Sequence, residues 1–483
     1  MNATLGNFLL VGALGVSALT AQVPVGSAVV GTIHDSSNPA STGAPGLFVI
    51  DLADGATRPI TNLPPGLTAP ETEFLNGINS VSLRSSDGAI VVGAVTRGVV
   101  NVYVFYLAGL AVDASRTKVI PVGTTGATGQ GAVFATVLPD DRLYVIGLEA
   151  DTATGYFTSG ALTGTRHATI DLATTPPTLA PLPPFNVPPG EAAGGGFVID
   201  PSGRVAYSVV SSSFHEGPCV SQIWQLDLTT RQNCLLATMI DECAIGTAID
   251  DDGTLYVSAT RGVLRGQPEH LMHEFRPSGC GAAPRTSVVS DTQILASGLG
   301  LDRERGVFVG GAASLPGATG SLGNSLVRIA ADGAVRELSP GPAGGWALVS
   351  PLGVAVRNAF ASYGPTTDGD NRYWFDTFPN PGGDPFVGDP DFSLTSRSAP
   401  GTALASALFL AAGRFSAPIL GIELLVDPTI LVTVPIAPQA AATIPLPVPN
   451  DPALMGGTFT AQTVHAEAGG AFAASRGLAV TIR

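Results

Sequence analysis

Lysine is almost absent: Lys118 is the only one in 483 residues, and the formal net charge is −15. Nucleic-acid binding needs a basic footprint, and this chain offers none. Helical patterning is scarce. No long stretch sets apolar residues at 3.6-residue spacing against a charged opposite face, so the fold class is all-β. No apolar run is long enough to cross a bilayer as a helix. Cysteine is limited to Cys219, Cys234, Cys243 and Cys280, none with the CxxC spacing of a metal site. A GxSxG nucleophile elbow is missing too.

What is present is turn chemistry. Gly 60 and Pro 39 accompany 45% hydrophobic residues, the balance of a folded, turn-rich β protein and not of a disordered chain. The length calls for two or three domains. The acidic surface suits an extracellular setting and divalent cations, and keeping the chain soluble explains it equally.

The stretch Cys243 to Gly262 reads as a small-residue strand, an acidic turn ending in Gly253, and an alternating strand. Asp-Gly between two β-rich runs is a hairpin signal, because Gly accepts the positive φ of the turn. The phrase returns at Asn76–Val95, Gln130–Leu148, Ala193–Val210, Ala296–Gly311 and Ala343–Val356, at spacings of 47 to 64 residues. That period, with about four strands per unit, predicts a six-bladed β-propeller over residues 22–358. Ser27–Ile33, Leu47–Leu52 and Arg58–Thr61 are strands without an opening phrase, and Ala343–Val356 is a phrase without outer strands. The two ends therefore complete one blade and close the ring, which removes an exposed edge.

Residues 1–21 read as an export signal: Phe8–Ala21 is an apolar run too short to span, with Ala18 or Ala21 for cleavage. Lys and Arg are missing from the first seven residues, a departure from that pattern. An even cysteine count fits an oxidising compartment, and four cysteines allow three pairings. If Ile223–Leu228 and Leu235–Ile240 form a hairpin, Cys219 falls opposite Cys243, leaving Cys234 and Cys280 to link neighbouring blades.

Residues 359–391 become an acidic, Gly- and Pro-rich junction carrying Tyr373, Trp374 and Phe375. Strands then resume at Phe392–Arg397, Ala403–Ala411, Ile419–Val426, Ile430–Val434, Ala440–Pro445, Gly457–Val464 and Gly477–Ile482. They predict a C-terminal antiparallel β-sandwich over 392–483. Pro445, Pro447, Pro449 and Pro452 alternate with apolar residues, the pattern of an edge strand running into a turn at Asn450-Asp451.

Two resemblances follow from these residues. Through its repeat length and turn phrase, the stretch 22–358 resembles bacterial six-bladed propellers of the NHL-repeat and gluconolactonase-like kind. Residues 363–483 resemble a C-terminal module of secreted proteins from planctomycete-type bacteria. The carriers are Ser398–Gly401, Ala405–Leu410, Leu425–Pro428, the run Ile444–Leu454 and Thr460-Ala461-Gln462. The second resemblance implies a surface-exposed appendage for attachment. Cysteines that many such modules carry near Tyr363-Gly364 and in mid-module are missing, so a disulfide is not expected there.

Chemistry-bearing residues are sparse. Turn formation accounts for Asp250-Asp251-Asp252-Gly253 without a ligand. His270 and His273, with Glu274 beside them, lie on opposite faces of a strand and cannot converge on a metal. His34-Asp35, His167, His215-Glu216 and His465 are isolated. Ser211–His215 follows an inner hairpin, but neither an orienting group nor an oxyanion hole accompanies it. The strongest ion candidate is Asp368, Asp370, Asn371 and Asp376 in the junction, a set of oxygen ligands suited to Ca2+. Neither a catalytic residue nor a cofactor-binding residue is assigned. The leading functional reading is a secreted or cell-surface binding or scaffold propeller for an extracellular glycan or protein, its sandwich serving attachment or assembly. One alternative is a gluconolactonase-like propeller hydrolase with a central divalent cation, for which Asn76 and Asn79 are the inner-strand polar residues. The other is self-assembly into an extracellular fibre or layer.

Overall fold

The computed structural model describes residues 23–33, 45–68, 77–124, 131–151, 156–159, 167–182, 196–211, 219–262, 268–281, 284–292, 294–313, 325–339, 341, 350–367, 373–377, 382–397, 403–428, 431–437 and 441–483. Strands dominate these residues, and every named strand pair is antiparallel.

The first two-thirds of the chain is a β-propeller. Its sheets run outward in chain order. Phe197–Ile199, Val205–Ser211, Val220–Asp227 and Asn233–Ile240 form one, and Glu242–Ile249, Leu255–Arg261, Glu269–Phe275 and Arg285–Val289 the next. Leu295–Asp302, Val307–Ala313, Ser325–Ala330 and Val335–Ser339 repeat the order. Gly131–Val137 opens another sheet, and Gly77–Leu83 begins the run of strands that ends at Lys118–Thr124.

Closure comes from the two ends of this unit. Ser27–Ile33 pairs along its length with Ser350–Arg357 on one side and with Leu47–Asp51 on the other. The innermost strands then touch in cyclic order, from Gly77–Leu83 through Gly131–Val137, Phe197–Ile199, Glu242–Ile249 and Leu295–Asp302 to Ser350–Arg357, which returns to Gly77–Leu83. Small residues permit this crowding: a Cβ on Gly93 would sit 2.5 Å from the Val133 carbonyl oxygen, and one on Gly353 2.7 Å from the Val81 nitrogen.

Apolar clusters fill the spaces between consecutive sheets. Val209, Ile223 and Leu236 meet Val257, Ala259 and Phe275 in one; Met272 meets Phe308, Val327 and Ile329 in the next. Burying each such large side chain is worth about 1.5–3 kcal/mol, so the sheets are held face to face mainly by the hydrophobic effect. Turn chemistry then sets the register. Gly253 takes φ +85° at the inner hairpin, and the equivalent Asp141 takes φ +65° without being glycine.

Beyond Arg357 the chain builds two further sheets that share one core. Phe360–Tyr363, Gly477–Thr481, Thr458–Glu467, Ala403–Ala411 and Leu431–Ile436 neighbour one another in that order, and Phe472–Ala474 adds to Thr458–Glu467. Trp374–Phe375, Ser393–Arg397 and Ala441–Pro445 form the second sheet. Phe375, Leu394 and Ile444 from one sheet pack with Leu408, Phe459, Leu478 and Val480 from the other. Phe360–Tyr363 and Trp374–Phe375 therefore belong to these sheets, where composition suggested only loop. Their aromatic side chains are the reason: Phe360, Tyr363, Tyr373 and Phe375 are all buried.

The expected single strand Ile419–Val426 is a hairpin. Arg414–Ile419 pairs with Ile422–Val426, and Leu420 (φ +53°) and Gly421 (φ +82°) make the turn. Two successive positive φ values define a type I′ turn. Leucine rarely occupies its first central position, which is why the break is hard to read. The proline run behaves as an edge. Pro445, Pro447 and Pro449 alternate with Leu446, whose N–H donates to Phe392 O, and Val448, whose N–H donates to Asp389 O, both at 2.8 Å. Asp451 then caps the short 3-10 turn Pro452–Leu454.

Candidate functional site

The inner hairpin turns of the propeller reach one face, and the C-terminal sheets sit against it. Asp250, Asp251 and Asp252 form one of these turns. Asp250 Oδ1 accepts from Thr254 N at 3.0 Å and its Oδ2 from the Tyr256 hydroxyl at 3.0 Å, so the turn role expected of it is filled. Burial, then the neighbouring Asp252 and Asp251, push the Asp250 carboxyl up to about 9. Burial opposes ionisation of Asp252 as well, but hydrogen bonds from Asp250 and Thr254 outweigh it and hold that carboxyl below the usual range.

Asp251 faces the C-terminal unit. Arg303 Nη1 lies 2.5 Å from its Oδ2, and the Thr377 hydroxyl donates to the same oxygen. The backbone carbonyl of Asp251 accepts from Arg476 Nη1. Arg476 is 1% exposed, which makes it the most thoroughly buried arginine described. Burial lowers its pKa, opposed by the carboxylates of Asp251, Asp200, Asp252 and Asp250. Its Nε and Nη2 find no hydrogen-bond partner among the described residues. A buried guanidinium is costly unless carboxylates surround it, and the hairpin turns supply them.

Two further contacts flank this one. Arg483 Nη1 reaches Glu304 and, at 3.1 Å, Asp384. Glu304 also accepts from Ala359 N at 3.2 Å. Burial foremost, then Asp384, push Glu304 up to about 7 against the pull of Arg483. On the other flank Arg414 Nη2 donates to Ser85 Oγ at 2.8 Å while its guanidinium lies 4.2 Å above the Tyr363 ring. Asn358 ties the crossing point, accepting from Arg303 N and donating to Leu301 O, both at 2.8 Å. Three of the turns, near Ser85, Asp251 and Glu304, are thus covered by the chain itself.

On the inner strand Gly77–Leu83, Asn79 Oδ1 accepts from Val133 N at 3.1 Å and Ser80 Oγ from Ala135 N at 2.8 Å; on the third strand of its sheet, Ser221 Oγ donates to Glu242 O at 2.6 Å. Each bond joins one sheet to the next. The described histidines are buried. His167 Nδ1 lies 2.6 Å from the Tyr144 hydroxyl, and His465 Nδ1 2.8 Å from Ser406 Oγ under the stacked Tyr373 ring. His270 lies between Ser258 and Ser290 at 2.8 and 2.6 Å, and burial pushes it down to about 3. His273 Nδ1 is 2.8 Å from Ser287 Oγ, and its Nε2 is 3.1 Å from Glu242 Oε2.

Of the proposed calcium ligands, Asp376 accepts from Arg397 Nε at 2.7 Å and from Trp374 Nε1 at 3.1 Å. Asp368, Asp370 and Asn371 lie outside the described residues, as do residues 1–21, His34, Asp35, Asn76, His215 and Glu216. Among the described residues no group of three or more His, Cys, Asp or Glu side chains is placed to hold a metal ion, and no helix is long and apolar enough to cross a membrane. Disulfides join Cys219 to Cys243 and Cys234 to Cys280, each stitching one blade to the next. The seam arginines Arg414, Arg476 and Arg483 were not singled out from the sequence. The available signal was position: an arginine inside an otherwise apolar strand region, as at Ser475-Arg476-Gly477, is a candidate for buried pairing.

No protein-family model matches the chain, and no curated protein matches it. Solved structures are similar in shape. A chain of a nidogen/laminin complex is 10% identical, covering 69% of this chain and 100% of that one, with a TM-score of 0.41. TolB from Acinetobacter baumannii is 12% identical over 65% of this chain and 67% of its own, with a TM-score of 0.39. The Cps50 (Swd1) β-propeller domain of Myceliophteria thermophila is 11% identical over 62% and 93%, with a TM-score of 0.35.

Proposed function

We propose that the protein is a secreted or cell-surface propeller that binds or scaffolds through the mouth opposite its hairpin turns, while the C-terminal unit closes the turn face. The observation that carries this reading is Arg476 held against the Asp251 turn. With Arg414 and Arg483 beside it, the seam covers the turns near Ser85, Asp251 and Glu304, which favours the opposite mouth for a partner such as a glycan or another protein. The chain then comprises an export signal (1–21), a six-bladed propeller (22–358), a junction (359–391) and a sandwich for attachment or assembly (392–483). Cyclic contact of the inner strands supports the blade count, and the shared two-sheet core supports the sandwich. Two disulfides fit an oxidising compartment. On this reading the blades are of the NHL and gluconolactonase-like kind and the sandwich is the planctomycete-type module. On the same reading the junction supplies Asp368, Asp370 and Asn371 as calcium ligands, with Asp376 engaged by Arg397.

The sideways bonds of Asn79 and Ser80 favour binding over hydrolysis at a central cation, because they commit these inner-strand polar groups to the scaffold. Amide hydrogen exchange of the full chain, with and without soluble polysaccharides and CaCl2, tests the reading. Protection gained at the open mouth is expected. Protection gained instead at the turns 84–89, 250–254 and 302–306 would overturn it.

A further inference from the structure

The sheet that follows Cys219–Cys243 carries an arrangement that the binding reading does not use. Ser287 lies on Arg285–Val289, the outermost strand of its sheet, and is exposed. Directly across from it on the neighbouring strand stands His273, whose side chain is fully buried. Ser287 Oγ is 2.8 Å from His273 Nδ1. On the far side of the ring, Glu242 Oε2 is 3.1 Å from His273 Nε2, and Arg285 Nη1 is 3.2 Å from the same carboxylate oxygen. Burial opposes ionisation of Glu242, but the contacts with His273 and Arg285, helped by Arg261, hold its carboxyl below the usual range.

Glu242 sits within ion-pair reach of Nε2, without an aligned hydrogen bond, and that proximity biases the tautomer. A carboxylate beside Nε2 favours the proton there, which leaves the Nδ1 lone pair facing the serine hydroxyl. The order is hydroxyl, imidazole, carboxylate, the relation that activates a serine. Strand parity adds a donor. Ser290 N donates to His270 O and Arg276 N to Pro284 O, so the amides of residues 286, 288 and 290 turn toward the paired strand. The intervening amide of Ser287 faces away, toward the open edge. It is therefore placed to donate to a carbonyl oxygen brought up to Ser287 Oγ.

We infer that Ser287, His273 and Glu242 form an acyl-transfer site for small, unhindered carboxylic esters. Ser287 Oγ attacks the carbonyl carbon as its proton passes to His273 Nδ1, and the oxyanion is held by the Ser287 amide. Collapse breaks the ester C–O bond, and the leaving alkoxide takes the proton from His273. Water then attacks the acyl-serine by the same route, releasing the acid and restoring the hydroxyl. Glu242 is a positioning residue. The open edge, with no enclosing wall among the described residues, is what restricts the substrate to unhindered acyl groups.

The test uses the full chain with a fluorophosphonate reagent and with 4-nitrophenyl acetate. Covalent label on Ser287, located by peptide mapping, and 4-nitrophenolate release above the buffer rate are expected. Ser287→Ala should abolish both, and His273→Gln should lower both by about 100-fold or more. Glu242→Gln should keep the label while shifting the pH profile of the rate, which a merely structural carboxylate would not do. Ser287→Cys provides a readout in case His273→Gln fails to fold. Paired with His273, the introduced thiol should react with iodoacetamide at a nearly constant rate from about pH 6 to 8, whereas an unpaired thiol titrates near 8.5. Absence of label on Ser287, or ordinary thiol titration in the Ser287→Cys variant, would overturn the site.

Discussion

Arg476 donates from Nη1 to the backbone carbonyl of Asp251, across a sequence separation of 225 residues. The bond puts a buried cation from the last turn of the C-terminal sheets among the carboxylates of a propeller hairpin. Two units that look separate in the sequence are joined there.

Replacing Arg476 by alanine leaves that hairpin carbonyl without its donor, while Asp251 keeps Arg303. Leaving a buried acceptor unsatisfied costs about 1–3 kcal/mol. The Arg476→Ala variant should therefore melt lower by calorimetry, with amide exchange accelerated at residues 250–254. Unchanged melting together with unchanged exchange would mean that the seam does not depend on this residue.

Stability should fall as pH rises through the neutral range. The Glu304 carboxyl sits near 7 in the folded chain against an ordinary 4.5, so the folded state holds its proton more tightly. Its contribution is complete below about 4.5, declines as pH climbs toward 7, and is lost above that. Asp250, pushed up to about 9, extends the decline toward more alkaline pH. Thermal melts at pH 5 and pH 8 should differ in that direction, with Glu304 accounting for roughly 2–3 kcal/mol. In Glu304→Gln the slope between about pH 4.5 and 7 should flatten; an unaltered slope would assign it elsewhere.

The disulfides should differ in worth. Cys219–Cys243 closes a separation of 24 residues and Cys234–Cys280 one of 46. Loop-closure entropy assigns them about 3.5 and about 4 kcal/mol. Denaturant unfolding of the two paired Cys→Ser variants should rank them so, and the opposite order would point to enthalpic differences in the folded blades.

Within the proline run the alternation is the point. Val448→Pro removes the N–H that donates to Asp389 O and should cost about 1–3 kcal/mol. Pro447→Ala adds an N–H that the ladder does not need and should change stability by less than about 1 kcal/mol. Equal costs in denaturant titrations would contradict the edge geometry.

Much of the propeller was legible because its cues are local. Asp250-Asp251-Asp252-Gly253 specifies a turn by the bonds its own side chains make, and the alternation in Leu255–Arg261 follows from a two-residue strand period. Even ring closure could be read, since the unpaired strands near Ser27 and the unfinished phrase near Val354 each lack what the other has. The hairpin at Leu420-Gly421 was not legible, because leucine is a poor turn residue and tertiary packing overrode that preference. The strands Phe360–Tyr363 and Trp374–Phe375 were hidden in a composition rich in Gly, Pro and Asp.

The seam was the least readable feature. Arg414, Arg476 and Arg483 look ordinary in sequence, and so do Ser85, Asp251 and Glu304. Coulombic and hydrogen-bond energies depend on distance and burial, which strand patterning does not specify. Sequence alone determined where this chain turns and which side chains alternate inward, since those choices are made within a few residues. Only the tertiary structure decided which turns gather on one face, which arginine is buried among them, and which serine stands beside a histidine, because residues far apart in the chain meet only after the sheets have packed.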